Sequence, residues 1–231
     1  MAEQPDELLA EDLLLLLFQP NPGRGTGTIA GENTLFYVLA GAVLADLALG
    51  DHVLTERGRG GATLVKAIES RPPSDSILRS AWDYVVPKPR GVQTVLAAVG
   101  PPLRGPLLDR LVERGHLRRS SRKTLGLFTT TALGEGDTGR RARLLAEVRA
   151  VLVDGAEPQP RVAALAALLS GGGTLPQFDP EIPWTSPVIA RAKELEQGNW
   201  GAGAAAEAVT RTVTAIVVNS VVVATTVLPQ Q

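Results

Sequence analysis

The sequence predicts a mainly α protein: a compact single-domain helical bundle from which a hydrophobic β-hairpin protrudes. Three observations predict it. Apolar stretches of helical length recur, the clearest running from Leu35 to Leu49. Gly and Pro clusters punctuate them, as at Pro87-Lys-Pro89 and Gly171-Gly-Gly173. One region departs from the helical pattern, where two β-like runs, 116–119 and 127–131, flank the polar residues Ser120 to Lys123. The 231 residues suffice for one large domain with a well-buried core. Its expected extent is 8–228, after a flexible start at 1–7 and before a short tail at 229–231.

The elements are expected in this order. Leu8 to Phe18 reads as a first helix, with Asp6 and Glu7 near its positive end. Asn21 to Thr28, rich in Gly, is a loop or turn. Leu35 to Leu49 is apolar on all faces except at Asp46, which predicts a central helix ended by Gly50. His52 to Thr55 reads as a short strand and Gly58 to Gly61 as a tight turn. Helices are then expected over 75–84, 92–99 and 107–114, with Gly115 as the C-cap of the last. After the hairpin come an Arg-rich amphipathic helix over 139–153, an Ala/Leu helix over 161–169, and final helices over 187–196 and 204–228.

Composition narrows the function classes. Hydrophobic residues make up 44% and charged residues 20%, which places the chain among globular proteins rather than disordered ones. Net charge is -1, so attraction to an anionic partner has to come from a local basic surface. With 0 cysteines, disulfides, thiolate nucleophiles and Cys-based zinc sites are excluded. The first residues are acidic where a secretory signal would be basic. Leu13 to Phe18 is shorter than the roughly 20 apolar residues of a membrane span. Val213 to Leu228 is interrupted by Asn219, Ser220, Thr225 and Thr226, which favours a buried terminal helix. A cytoplasmic chain is expected.

No catalytic set assembles. His52 and His116 stand in β-like segments, with no acid or nucleophile at a diagnostic spacing. A structural or surface role is expected for both, and neither a metal site nor a cofactor is expected. Gly23 to Thr28 lacks the Gly-Lys-Ser/Thr ending of a phosphate loop. Asp179 and Glu181, near Trp184, read as loop carboxylates rather than a glycosidase pair.

The basic residues are more informative. Arg104, Arg110, Arg114, Arg118, Arg119, Arg122 and Lys123 fall in one stretch, followed by Arg140, Arg141 and Arg143. Guanidinium forks bind phosphate bidentately, so this is the expected anion-attracting region. Asp109, Glu113, Glu135 and Asp137 keep a solvated, balanced helix face open as the alternative. Beside Arg122 and Lys123, the residues Leu125, Leu127 and Phe128 form an apolar hairpin tip. Such a tip either enters a lipid layer, packs in the protein's own core, or forms an oligomer interface.

Several segments together resemble the Golgi phosphoprotein 3 family. Glu11-Asp-Leu-Leu-Leu-Leu-Leu17 is similar to its opening helix, and Leu39 to Leu49 to its core helix. Leu111-Val-Glu-Arg-Gly-His-Leu117 resembles the helix end that leads into the family's hairpin, and Leu125-Gly-Leu-Phe128 its tip. Ala163 to Phe178 and Gly198-Asn-Trp200 extend the resemblance over nearly the whole chain. The Gly- and Ala-rich, Lys-poor style resembles bacterial members more than Golgi ones. The resemblance implies a helical fold with a hydrophobic hairpin beside a basic pocket. In eukaryotic members that pocket binds phosphatidylinositol 4-phosphate, and the protein is an adaptor for Golgi glycosyltransferases. The pocket's Trp position matches Gly31, its core-helix Arg matches Ala40, and its Arg pair matches Pro101 and Arg104. Arg104 alone is retained, so anionic-lipid affinity is expected without the full phosphoinositide pocket.

The expectation is therefore a non-enzymatic peripheral membrane protein. It would bind anionic, phosphoinositide-like phospholipid through Arg104, Arg122, Lys123 and Arg90, with Leu125, Leu127 and Phe128 inserting or oligomerising. A cytoplasmic scaffold that uses the hairpin as a self-association interface is the main alternative. A winged-helix DNA-binding protein is a weaker one, because the net charge opposes nucleic acid as a partner.

Overall fold

The computed structural model describes residues 7–21, 23, 25–124, 128–198 and 212–220, with the side chains of 121–131 outside the description. Its centre is helix α2 (Leu35–Leu49), buried along nearly its whole length. Helix α1 (Leu9–Leu17) lies against it, and all nine of its residues are buried. Such helices are apolar all round because they have neighbours on every side. α2 is packed by α1, α3 (Ser76–Val85), α4 (Val92–Val99) and α7 (Pro160–Gly171). α1 also meets α5 (Arg104–Glu113) and α6 (Arg140–Leu152), while α8 (Ser186–Glu196) packs on α7. Residues 212–220 are helical, and Val213, Ile216, Val217 and Ser220 are fully buried. Among the described residues no helix is long and apolar enough to cross a membrane.

The fold is mainly α as expected, but two small antiparallel sheets make it more than a helical bundle. The segment expected as a loop after α1 belongs to a hairpin, β1 (Phe18–Asn21) with β2 (Thr26–Ile29). Its strands are four residues each, too short for an alternating pattern to stand out. β3 (Val53–Arg57) extends the expected strand and pairs with β4 (Thr63–Ala67), which in turn pairs with the two-residue β5 (Arg90–Gly91). The expected helices after residue 70 are present with their ends shifted by a few residues at most, except in the last segment. There, of the helix expected over 204–228, only 212–220 lie among the described residues.

The second hairpin joins β6 (Leu117–Thr124) to β7 (Phe128–Glu135), with Leu117 facing Glu135 and Thr124 facing Phe128. β2 meets β7 only at Leu133. Beyond that point β7 pairs, among the described residues, with β6 alone. Two glycines make the base of this arm possible. Gly115 ends α5 with φ +73°, a left-handed conformation that glycine adopts without strain. Gly136 donates its N–H to the His116 carbonyl at 2.9 Å, and a Cβ there would overlap the Gly115 carbonyl.

Candidate functional site

The expected anion-binding residues occupy separate places in this fold. Arg104 opens α5 and donates from Nη2 to Glu32 Oε1 at 2.8 Å, with both side chains about half exposed. Glu32 lies in the turn after β2, beside Gly31, whose φ is +68°. Ala40 is fully buried in α2, and Pro101 is exposed before α5. Of Gly31, Ala40, Pro101 and Arg104, the four positions expected to match the family's pocket, Arg104 is the one with charge, and a carboxylate already accompanies it.

Arg90 is held differently. The Pro87-Lys-Pro89 break folds the chain back onto the end of α3, where Arg90 Nε donates to the Tyr84 carbonyl at 2.8 Å. Its guanidinium lies 4.2 Å from the centre of the Tyr84 ring. Arg110, in the middle of α5, pairs with Asp75 at 2.5 Å and donates to Ser76 Oγ at 3.0 Å. Burial raises the Asp75 carboxyl pKa, but Arg110 and the N–H groups of Leu78 and Ile77 outweigh it and hold it below the usual carboxylate range. Among the described residues, Arg90, Arg104 and Arg110 thus share no partner.

Arg122 and Lys123 stand on β6 opposite Thr130 and Thr129, and Phe128 opens β7. Their side chains lie outside the described residues, as do Leu125 and Leu127 entirely. On the nearer part of β6, Arg119 pairs with Asp109 of α5 at 2.5 Å.

What anchors the arm is a group of charges around α1, in which Glu11, Asp12 and Asp46 are buried. Arg140 bridges Asp12 (2.6 Å) and Glu7 (2.7 Å). Arg161 reaches Asp12 (2.7 Å), Asp46 (3.3 Å) and the Glu7 carbonyl (2.6 Å). His116, just before β6, joins Glu7 at 2.9 Å through Nε2 and Thr138 Oγ1, just after β7, at 2.8 Å through Nδ1. One imidazole therefore ties both ends of the hairpin to the start of the chain. Glu11 Oε2 accepts from Leu8 N at 2.8 Å, while Arg114 Nε lies 3.5 Å from Oε1.

Within this group Asp46 closes the N-terminus of α1. It accepts from Leu9 N at 2.9 Å and from Ala10 N at 3.3 Å, two first-turn donors that no local side chain caps. Burial pushes its carboxyl up to about 7, opposed by Arg161 and by these two N–H groups. Burial also lowers Arg161, but Asp12 and Asp46 outweigh that and raise it.

The sequence reading missed this network. The signal was present in Glu11 and Asp12, two adjacent acids inside a leucine helix, and in Asp46, the one charge on α2. Acids on helices that bury every face require cations close by, which Arg114 at the end of α5, Arg140 of α6 and Arg161 of α7 supply. Two of the residues expected as an anion-attracting basic group, Arg114 and Arg140, are spent on that task. Among the described residues, no three His, Asp or Glu side chains are grouped as metal ligands would be.

Comparison with curated proteins gives no match. The sequence model of Golgi phosphoprotein 3 (GPP34) matches residues 9–212, from the first residue of α1 to the start of the last described helix. The chain belongs to the Golgi phosphoprotein 3 (GPP34) family.

Proposed function

We propose that this chain is a non-enzymatic peripheral membrane protein that docks from the cytoplasm on anionic phospholipid. The observation that carries the reading is the hairpin arm. β6 bears Arg118, Arg119, Arg122 and Lys123 and no acid, and the sequence continues into Leu125, Leu127 and Phe128. A cation near an anionic leaflet contributes about 1 kcal/mol. Burying a Leu or Phe contributes roughly 1.5–3 kcal/mol. Two or three apolar side chains with two cations give weak, reversible docking. Membership of the family supports this reading. With Gly31, Ala40 and Pro101 at the pocket positions, the headgroup preference is for negative charge rather than for one phosphoinositide.

Flotation with vesicles tests it. Recovery is expected with phosphatidylserine vesicles and not with phosphatidylcholine alone. At matched charge, phosphatidylinositol 4-phosphate vesicles are expected to recover the same amount. A Leu127→Ala/Phe128→Ala variant is expected to lose most of the recovery. Equal recovery of variant and wild type would overturn the wedge, and recovery independent of lipid charge would overturn the cation role.

Among the described residues no further strand pairs with the arm beyond Leu133, which favours self-association as a second reading. The four cations on β6 oppose pairing of two such edges. Mass in solution that rises with concentration, and collapses on Leu127→Glu, would favour that reading. The DNA-binding reading draws no support from α5, whose Arg110 pairs with Asp75 and whose C-capping Arg114 faces Glu11.

A further inference from the structure

A second place combines apolar surface with a cation, away from the hairpin. α3, α4 and α5 enclose an open groove of about 390 Å³. Ile77, Ala81, Ala98, Val99, Leu103 and Pro106 supply its apolar walls. Along α3 it runs from Ser76 to Tyr84, eight residues and therefore about 12 Å. At about 30 Å³ for a group the size of a water, the volume holds roughly a dozen such groups. That is the scale of one short hydrocarbon chain and falls at the small end of ligand sites.

The two ends differ in charge. At the Ser76 end, Arg110 is neutralised by Asp75. At the other end Tyr84 lines the groove, and Arg90, just outside the lining, donates Nε to the Tyr84 carbonyl with its guanidinium 4.2 Å from the centre of the Tyr84 ring. Its Nη1 and Nη2 make no hydrogen bond or ion pair with any described residue. Lys88, exposed two residues earlier, likewise has no acidic partner among them. A guanidinium fixed by a ring and a carbonyl keeps its outer edge ready for a carboxylate at little further entropic cost.

We propose that this groove binds a single-chain anionic amphiphile, with the hydrocarbon chain along α3 and the carboxylate on the outer edge of Arg90. The charge of Arg90 selects an anionic occupant, and the volume of about 390 Å³ suits a single chain. This site stands apart from bilayer docking by the hairpin, so the two succeed or fail separately.

Titration calorimetry of the full chain with monomeric decanoate tests it, with decan-1-ol as the uncharged control. One decanoate per chain is expected, with at least tenfold weaker binding of decan-1-ol. Arg90→Gln is expected to weaken decanoate at least tenfold. Ala98→Phe, which fills the groove from an exposed position, is expected to abolish binding without changing the melting temperature. Leu127→Ala/Phe128→Ala is expected to bind as wild type does. Absence of binding to the folded wild type would overturn the site, as would unchanged affinity in Ala98→Phe. Equal affinity for decan-1-ol would overturn the role of Arg90. Should Arg90→Gln fail to fold, Ala98→Phe and the alcohol still decide.

Discussion

Asp46, in the last turn of α2, caps α1 by accepting the Leu9 N–H at 2.9 Å across 37 residues of sequence. Its second oxygen takes the Ala10 N–H, and Arg161 stands 3.3 Å from the first. The interior that α2 provides makes this cap unusual, because burial lifts the carboxyl to about 7 from a value near 3.8.

That shift fixes the sign of a pH dependence. Between about pH 4 and pH 7 the folded chain holds a proton on Asp46 that the unfolded chain has released. Stability from this group is therefore fully present below about pH 4 and is lost as pH rises through about 7. Asp46→Asn removes the titration while keeping the shape. Urea unfolding of both proteins from pH 4 to 8 is expected to show the stability of wild type relative to the variant falling across that window. The slope is at most about 1.4 kcal/mol per pH unit. A difference that stays flat, or rises with pH, would contradict the assignment.

Arg140 and Arg149 lie on the same helix and both pair with aspartate, yet their removal is expected to differ sharply. Arg149 and its partner Asp154 are each about half exposed. Such a pair contributes about 0–1 kcal/mol. Arg140 serves Asp12, which is 1% exposed, and Glu7 as well. Truncating one partner of a buried pair costs about 3–5 kcal/mol, because the other charge stays buried. Arg161 still holds Asp12, which places Arg140→Ala toward the lower end of that range. Denaturant midpoints of Arg140→Ala and Arg149→Ala give the comparison directly.

Much of this architecture was legible in the sequence because its elements are long or sharply punctuated. α2 was readable at both ends: fifteen residues with no periodicity indicate burial on every side, and Gly50 stops them. The α5–Gly115–hairpin succession was readable for the same reason. β1, β2, β4 and β5 were not, since strands of two to five residues carry too few positions for alternation to register. The candidate site was legible only as a composition. The sequence grouped Arg104 with Arg110 and Arg114, but pairing depends on which carboxylate the fold brings alongside each. Glu32 lies 72 residues from Arg104 in sequence, and nothing local announces it.

Gly136 gives a test of the hairpin base. A methyl group there collides with the Gly115 backbone, which cannot swing aside as a flexible side chain can. Gly136→Ala is expected to destabilise the chain by about 1–3 kcal/mol, the range for overpacking. Hydrogen exchange should quicken first at Leu117 and Glu135, the pair nearest the collision. Gly105→Ala, where a Cβ meets open space at the start of α5, is the control and should stabilise or leave stability unchanged.

The charges around α1 also set an order of events during synthesis. α1 emerges from the ribosome before α6 and α7, and the cations that accompany Asp12 lie 128 and 149 residues later, at Arg140 and Arg161. At about 5–20 residues per second, the leucine-rich helix waits roughly 6–30 s for them. Until α6 and α7 are made, its acids have water and its leucines have no permanent neighbours on those sides. A helix translated before α6 and α7 is thus completed only with them, and the nascent chain carries an unsatisfied apolar segment throughout that interval. Chaperone demand should fall on that interval, and shortening the chain before Arg161 should leave α1 undocked.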